Sequence, residues 1–534
     1  MEIYHNREYK RANEINLENL KTILEDNKNT EFGLKYNFSQ IQNYEQYKKA
    51  VPLTNYDTYD DYIERMFAGE KNILTAYDIV TYLRSSGTTK GERKKKIPVS
   101  SKALEKYEFD FDHNRKTIIR DYRKKNKDAK RLSIKVYRVS PEESYDKCTL
   151  GSELVYHDLY VKGQMIDDEY AGGLDLLFDK DIEDVYYVKI WVGFLEENIG
   201  LLEFGYMSDA IRFFSYMSEN YKEIINNILS HTIPDDKKIT KKAKTILLKM
   251  PINQKRLDYV KNVCDKGFDL IVKKLWPNCQ CISGSFSRNS IYEIQALDKY
   301  CGDIPRDAYM FAMSESYLGH SAKLNSFDYA FAIASTFYEL IPFDESNNND
   351  YENAILLAEA EEGKLYELVL TTFSGFYRYR TYDIIKITGK IENNFTYEYF
   401  CRNVIMLNIK NEQYTLLQLE RVIKKVNQLI PNIIQYTFGA TIENELGRYY
   451  LLLAINDDNN LDINDLNNKF DEILCEVNKL YEQKRKLEFT TPKIVLMDVA
   501  KYESITNFEE KKLTKQVIIL QKTRLDECIK NKLI

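Results

Sequence analysis

Ile79-Val80-Thr81-Tyr82-Leu83 runs through Arg84 into Ser85-Ser86-Gly87-Thr88-Thr89-Lys90-Gly91-Glu92-Arg93-Lys94, and this join of an apolar run to a hydroxyl-rich turn decides how the chain is read. The apolar run is strand-like. Gly87 and Gly91 allow backbone angles that turn N–H groups to the concave side of the loop; Ser85, Ser86, Thr88 and Thr89 add hydroxyl donors, and Arg93 and Lys94 add positive charge. A turn of that make-up can wrap a polyphosphate. It is not a G-x-x-x-x-G-K-[ST] loop, and no G-x-G-x-x-G follows the strand here, so neither a Walker loop nor a dinucleotide fingerprint accounts for it. The plain alternative for the same residues is a solvated Ser/Thr/Gly hairpin.

Working outward, Leu17, Leu20, Ile23 and Leu24 recur three or four positions apart and predict a helix. The β-branched and aromatic run from Val185 to Val192 predicts a buried strand, and a helical stripe resumes from Ile211 to Leu229. This alternation points to an α/β core. Asp344-Glu345-Ser346-Asn347-Asn348-Asn349-Asp350 has too few apolar groups to pack and reads as an exposed connector. A composition change near Leu407 to Gln413 is followed by a helix (Leu416 to Leu429), two strands (Ile434 to Thr441, Gly447 to Ile455), a helix (Leu466 to Lys484) and a strand (Lys493 to Asp498), with a polar turn at Asn456 to Asn460. That order suits a small α+β domain, so the expected division is a large domain over 1–407 and a smaller one over 408–534, the boundary falling between 405 and 412. No internal repeat is present, which excludes a solenoid.

At 534 residues the chain is too long for one ordinary core, and 44% hydrophobic with 30% charged residues is the balance of a folded protein. A net charge of −6 gives no basic footprint for nucleic acid and no polybasic anchor for an acidic membrane. Met1 to Arg7 lacks the apolar segment of a secretory signal, and no stretch of 18 apolar residues could span a bilayer, so the expected location is the cytoplasm. The eight cysteines offer one close pair, Cys279 and Cys281, without a second pair to complete a zinc site, and the five histidines form no H-x-x-x-H or H-E-x-x-H pattern. Reduced thiols are expected and a zinc hydrolase is not.

Several further stretches bear on identity: Val51-Pro52-Leu53-Thr54-Asn55-Tyr56, Gly69-Glu70-Lys71-Asn72-Ile73-Leu74, Phe337-Tyr338-Glu339-Leu340-Ile341-Pro342, Tyr366-Glu367-Leu368-Val369-Leu370-Thr371-Thr372, Tyr377-Arg378-Tyr379-Arg380-Thr381-Tyr382-Asp383 and Asn478-Lys479-Leu480-Tyr481. Taken in order with Ser85 to Pro98, over nearly the whole chain, they resemble the auxin-responsive acyl acid amido synthetases, the Gretchen Hagen three family of the acyl-adenylate-forming superfamily. The resemblance implies an α/β fold: a large N-terminal adenylate-forming domain of mixed sheets and helices, with a smaller C-terminal α+β lid. It also implies an ATP-dependent, Mg²⁺-requiring ligase that adenylates a small carboxylic acid and transfers the acyl group to an amine, an amino acid by analogy, releasing AMP and pyrophosphate. An acyl-CoA-forming ligase and a degenerate nucleotide-binding protein are the other two readings.

On that resemblance Ser85, Ser86, Gly87, Thr88 and Thr89 are phosphate ligands, and Lys94 attends the departing pyrophosphate. Phe311-Ala312-Met313-Ser314-Glu315 occupies the place of the family's Tyr-Gly-Ser-Ser-Glu, which makes Phe311 the adenine platform and Glu315 the Mg²⁺ carboxylate. Asp383 accepts from both ribose hydroxyls, and Arg402, just before the hinge, meets the ribose or the α-phosphate. Taken singly, Phe311 could equally be core, Glu315 a surface acid, Lys94 a surface lysine, and Asp383 and Arg402 a structural ion pair. Three departures stand out. Thr381-Tyr382 replaces a small or apolar residue followed by Gly, setting a bulky ring beside the expected nucleotide. Gln413 and Leu416 stand where the family has Lys and Glu. Ile518 stands where the family's C-terminal lysine assists adenylation, leaving Lys515 and Lys522 as the catalytic substitutes.

Overall fold

The computed structural model describes residues 7–84, 95–111, 126–135, 148–149, 154, 159, 161–286, 291–343, 353–403, 405–410, 412–430, 432–455, 461–506, 519–520 and 522–534. Five sheets organise the described residues. The strand read at Ile79 is present as β1 (Ile79–Arg84), paired antiparallel with β2 (Lys96–Ser100). Arg84 lies opposite Lys96. The third member of that sheet is β4 (Cys148–Thr149), parallel to β1.

A four-stranded parallel sheet, β3 (Lys130–Ser133), β5 (Ile199–Tyr206), β6 (Cys281–Ser285) and β7 (Arg306–Asp307), forms the α/β part. Against it packs the helix Val185–Leu195, at the position read as a buried strand. The correction has a simple cause. Tyr187 through Phe194 are all buried, so the segment is apolar on every side and periodicity cannot separate it from a buried strand. Trp191, Phe213, Phe214 and Trp276 centre this core. The long helix Met207–Leu229 contains the stripe expected from Ile211.

An eight-stranded sheet carries the rest of the large body: β8 (Met310–Ala312), β9 (Tyr317–Ser321), β10 (Asp328–Phe331), β11 (Thr336–Phe343), β12 (Ile355–Leu356), β13 (Leu365–Thr372), β14 (Tyr379–Ile391) and β15 (Asn394–Arg402), in the order β12-β11-β13-β14-β15-β10-β9-β8. The helix Ala12–Asn27 lies on this sheet and buries Leu20, Ile23 and Leu24, whereas Leu17 is exposed. Its buried asparagines pair with backbone: Asn16 exchanges two bonds with Tyr338 (2.8 and 3.0 Å), and Asn19 Nδ2 donates to the carbonyls of Ile333 and Thr336 (2.7 and 2.9 Å). Buried amides bonded to the strand backbone fix the helix in one register on it. A second core, with Phe32, Tyr59, Phe376 and Tyr377 at its centre, joins the N-terminal helices to β1, β2 and the β13–β14 turn.

After β15 the chain forms a hairpin, β16 (Ile405–Ile409) with β17 (Glu412–Thr415), then the helix Leu416–Leu429 closed by a Thr415–Gln418 capping box. β18 (Ile433–Glu443), β19 (Leu446–Ile455) and β20 (Lys493–Met497) make the last sheet, β18 and β19 antiparallel and β19 and β20 parallel. The single helix read from Leu466 to Lys484 is two, Ile463–Val477 and Lys479–Glu488, broken where the buried Asn478 side chain accepts from the N–H groups of Leu480 and Tyr481. One face of this sheet joins Leu407, Ile409 and Tyr414 in a core of its own. Ile434, Tyr450, Leu452 and Met497 instead join the core of the large body. The connectors read at Asp344–Asp350 and Asn456–Asn460 lie outside the described residues.

Candidate active site

β14 is the strand that builds the site. Between Val369↔Arg380 and Glu367↔Ile384, β13 advances two residues while β14 advances four, so Thr381–Asp383 form a bulge. Tyr382 sits in the bulge with φ 59°, in the left-handed region. That region favours glycine, and it is the position where the family resemblance has Gly. Three bonds hold it: Thr381 Oγ1 donates to the Leu368 carbonyl (2.8 Å), the Asp383 N–H donates to Thr381 Oγ1 (3.1 Å), and the Asn403 N–H donates to the Tyr382 carbonyl (2.7 Å). The Tyr382 ring lies 4.9 Å from the Arg380 guanidinium and lines, with Leu53, Thr54, Asn55, Thr58 and Arg380, a cavity of about 210 Å³.

The bulge sets Asp383 opposite Arg402 of β15. Asp383 is buried, Arg402 Nε stands 3.8 Å from its Oδ1, and Arg402 Nη2 donates to the Thr381 carbonyl (3.4 Å). Burial pulls the Arg402 guanidinium down, but Asp383 first and then Glu315 outweigh it, and the net shift is up, so the arginine stays a cation. Glu315, buried in the turn between β8 and β9, accepts from the Tyr379 hydroxyl (2.9 Å), and its backbone carbonyl accepts from Tyr107 (3.1 Å). Burial pushes the Tyr379 phenol well up, with Glu315 adding to it, which keeps this hydroxyl a donor.

Phe311 stands on the edge strand β8, partly buried, its ring 5.3 Å from Tyr399, 5.6 Å from Tyr329 and 6.0 Å from Tyr397. Burial pushes the Tyr399 phenol well up, and the charge of Asp383 adds to it. Four residues singled out in the sequence, Phe311, Glu315, Asp383 and Arg402, are thus brought to one end of the eight-stranded sheet. Two that sequence reading passed over, Tyr379 and Tyr399, link them; Tyr379 stood inside a quoted motif, but nothing in its spacing pointed it at Glu315.

Ser85, Ser86, Gly87, Thr88, Thr89, Lys94, Lys515 and Ile518 lie outside the described residues. Lys522 is exposed at the start of the helix Lys522–Lys530, which lies on β18 with Leu525 against Gly439. Gln413 is in β17 and Leu416 opens the helix after it. Cys279 and Cys281 are buried free thiols pushed up by burial. Among the described residues no group of three His, Cys, Asp or Glu could hold a metal, and no helix is long and apolar enough to cross a membrane.

What such an arrangement can do follows from its parts. A half-exposed aromatic face takes a flat base, a buried carboxylate beside a fixed cation takes two hydroxyl donors, and the cation remains for a phosphoryl oxygen. Residues 6–306 match the GH3 family N-terminal domain, and residues 329–402 match the GH3 family central domain. Indole-3-acetic acid-amido synthetase GH3.3 of Arabidopsis thaliana is 26% identical over 83% of this chain and 77% of its own length. Probable indole-3-acetic acid-amido synthetase GH3.11 of Oryza sativa subsp. japonica is 27% identical over 82% of this chain and 77% of its own. Among solved structures, GH3.15 acyl acid amido synthetase superposes with a TM-score of 0.80 at 18% identity, covering 97% of this chain and 94% of that one. A 2-hydroxyisobutyryl-CoA ligase in the postadenylation state with 2-HIB-AMP reaches 0.53 at 10% identity, covering 98% and 92%. At these identities the structural likeness is one of fold, and with the family match over more than half of its length the chain belongs to the GH3 family.

Proposed function

We propose that this chain is an ATP-dependent acyl acid amido synthetase of the cytoplasm, which adenylates a small carboxylic acid and passes the acyl group to the amine of an amino acid, releasing pyrophosphate and AMP. The observation that carries the reading is the convergence of Phe311, Glu315, Asp383 and Arg402 beside the β14 bulge. The names of the relatives, amido synthetases of indole-3-acetic acid and of acyl acids, support the amide-forming half.

In this reading Phe311 stacks on adenine, Asp383 accepts from the ribose hydroxyls, and Arg402 turns from Asp383 towards the α-phosphate as charge builds there. Ser85, Ser86, Gly87, Thr88 and Thr89 cradle the departing phosphates with Lys94, in the sequence between β1 and β2. Glu315 fits a Mg²⁺ ligand: no lysine or arginine among the described residues is ion-paired to it, and one oxygen is already oriented by Tyr379. A hard cation held by one carboxylate takes its other ligands from phosphate and water, and when bound it offsets phosphoryl charge. Lys515 or Lys522 supplies the charge that Ile518 does not. Residues 408–534 act as the lid, and the packing of the β16–β17 hairpin with the C-terminal core supports a boundary at that hairpin.

Pyrophosphate exchange over a panel of small carboxylic acids tests the adenylation half without needing the acceptor. Exchange with at least one acid is expected, and the product formed from that acid with amino acids, rather than with coenzyme A, identifies the transfer. ATP binding without exchange for any acid refutes the enzymatic reading.

A further inference from the structure

One polar row crosses the parallel sheet. Ser133, Glu203, Ser283 and Asp307 are partners in register from β3 to β7, and all four side chains are buried. The last of them lies two residues before Tyr309, which has φ 60° and turns the chain from β7 into β8. A tyrosine in the left-handed region is strained and persists only where its surroundings hold it. Asp307 Oδ2 does so directly: it accepts from the Tyr309 N–H (3.2 Å) and from Ser283 Oγ (2.9 Å).

The rest of the turn is clamped around that carboxylate. The Tyr309 carbonyl accepts from the Ser321 N–H of β9 (3.0 Å), and Lys135 Nζ stands 3.8 Å from the centroid of the Tyr309 ring. Tyr329 donates to the Phe286 carbonyl (2.6 Å), reaches the Ala308 carbonyl (3.5 Å), and packs its ring 5.6 Å from Phe311. Phe311 is two residues beyond Tyr309, so its ring direction is set by this turn.

We propose that Asp307, oriented by Ser283, is a positioning residue for the nucleotide: it locks the left-handed turn at Tyr309 and so aims the Phe311 ring that receives adenine. The inference rests on the role of Phe311 proposed above. It predicts coupling between two residues that do not touch the same ligand atom, which a double-mutant cycle reads directly.

ATP affinity is measured by calorimetry for wild type, Asp307→Ala, Phe311→Ala and the double variant, with thermal melts of each. Asp307→Ala should weaken ATP binding about tenfold in the wild-type background and less than about twofold once Phe311 is gone. Asp307→Asn keeps an oxygen to accept the Tyr309 N–H and should remain within about threefold of wild type. Equal losses in both backgrounds, or no loss from Asp307→Ala, overturn this inference while leaving the function standing. A wild type that binds no ATP, or a Phe311→Ala variant that binds it as wild type does, overturns the functional reading and this inference with it. Should Asp307→Ala fail to fold, Ser283→Ala enters the same cycle, with a loss of about threefold expected only where Phe311 is present.

Discussion

Replacing Asp383 by asparagine exchanges one oxygen for nitrogen and removes one charge. The side chain is 8% exposed, so its shape must be kept and the loss of charge is felt in a poorly hydrated place. In the proposed complex the carboxylate accepts from two ribose hydroxyls. A hydrogen bond to a charged group contributes about 1.5–3 kcal/mol and a neutral one about 1, and the asparagine presents an N–H₂ where one acceptor stood. The net loss is therefore on the order of 2–3 kcal/mol, about thirty- to a hundred-and-fiftyfold in Kd. Arg402 alters this little, because its side chain is 37% exposed and solvent screens the ion pair it loses. Calorimetry with ATP and with 2′,3′-dideoxy-ATP on both proteins separates ribose from phosphate. Wild type should prefer ATP by that factor, and Asp383→Asn, with one neutral acceptor left, by only about fivefold, with its dideoxy affinity near that of wild type. If wild type binds the two nucleotides equally, the carboxylate does not meet the ribose and the reasoning is wrong.

Glu412, buried in β17 and bonded to Asn478, has its carboxyl pushed by burial up to about 8, with Lys484 offsetting only part. A raised folded value means that this group's stabilisation is complete below the ordinary carboxylate range and is lost as pH rises towards about 8. Between pH 5 and 8 the melting temperature of wild type should thus fall relative to that of Glu412→Gln; parallel profiles would refute this. Arg378 and Glu339 form a buried pair at 3.0 Å, so Arg378→Met should cost about 3–5 kcal/mol in denaturant titration by stranding the carboxylate; a change below about 1 kcal/mol counts against it. Lys515→Ala or Lys522→Ala should cut pyrophosphate exchange by about tenfold or more with ATP affinity nearly unchanged, since a contact made in the transition state appears in rate rather than binding. If neither does so in an active enzyme, no terminal lysine takes part.

Local pattern made much of this fold legible. β1 starts at Ile79 as read, the helix Leu416–Leu429 has the expected bounds, and β18, β19 and β20 fall within a residue or two of their readings. These segments carry their own periodicity or end signals. The run from Val185 to Val192 reads as a strand but is helical because its surroundings, not its pattern, choose helix: with Gly193 packed against Trp276 and Leu132, every side meets protein. The Leu466–Lys484 reading ran through Asn478 because a buried asparagine accepting from two N–H groups at a helix start looks, in sequence, like any polar residue on a helix face.

The candidate site divides the same way. The family resemblance pointed to Phe311, Glu315, Asp383 and Arg402, yet nothing in the sequence showed that Tyr379 bonds to Glu315 or that Tyr399 packs against Phe311, because those contacts depend on strand register. Tyr382 shows the difference most sharply. In sequence it is a bulky ring in place of glycine, and the expectation is crowding. In the fold the demand for glycine is a backbone demand, a left-handed residue that lets the bulge present Asp383 to Arg402. The tyrosine meets it at the cost of strain, with its ring against Arg380 and the Asn403 N–H holding its carbonyl. Tyr382→Gly should therefore relieve backbone strain yet leave Arg380 without its ring. A variant with unchanged nucleotide affinity and altered stability would mark Tyr382 as a device of the fold, whereas tighter ATP binding would show that the ring does intrude on the site.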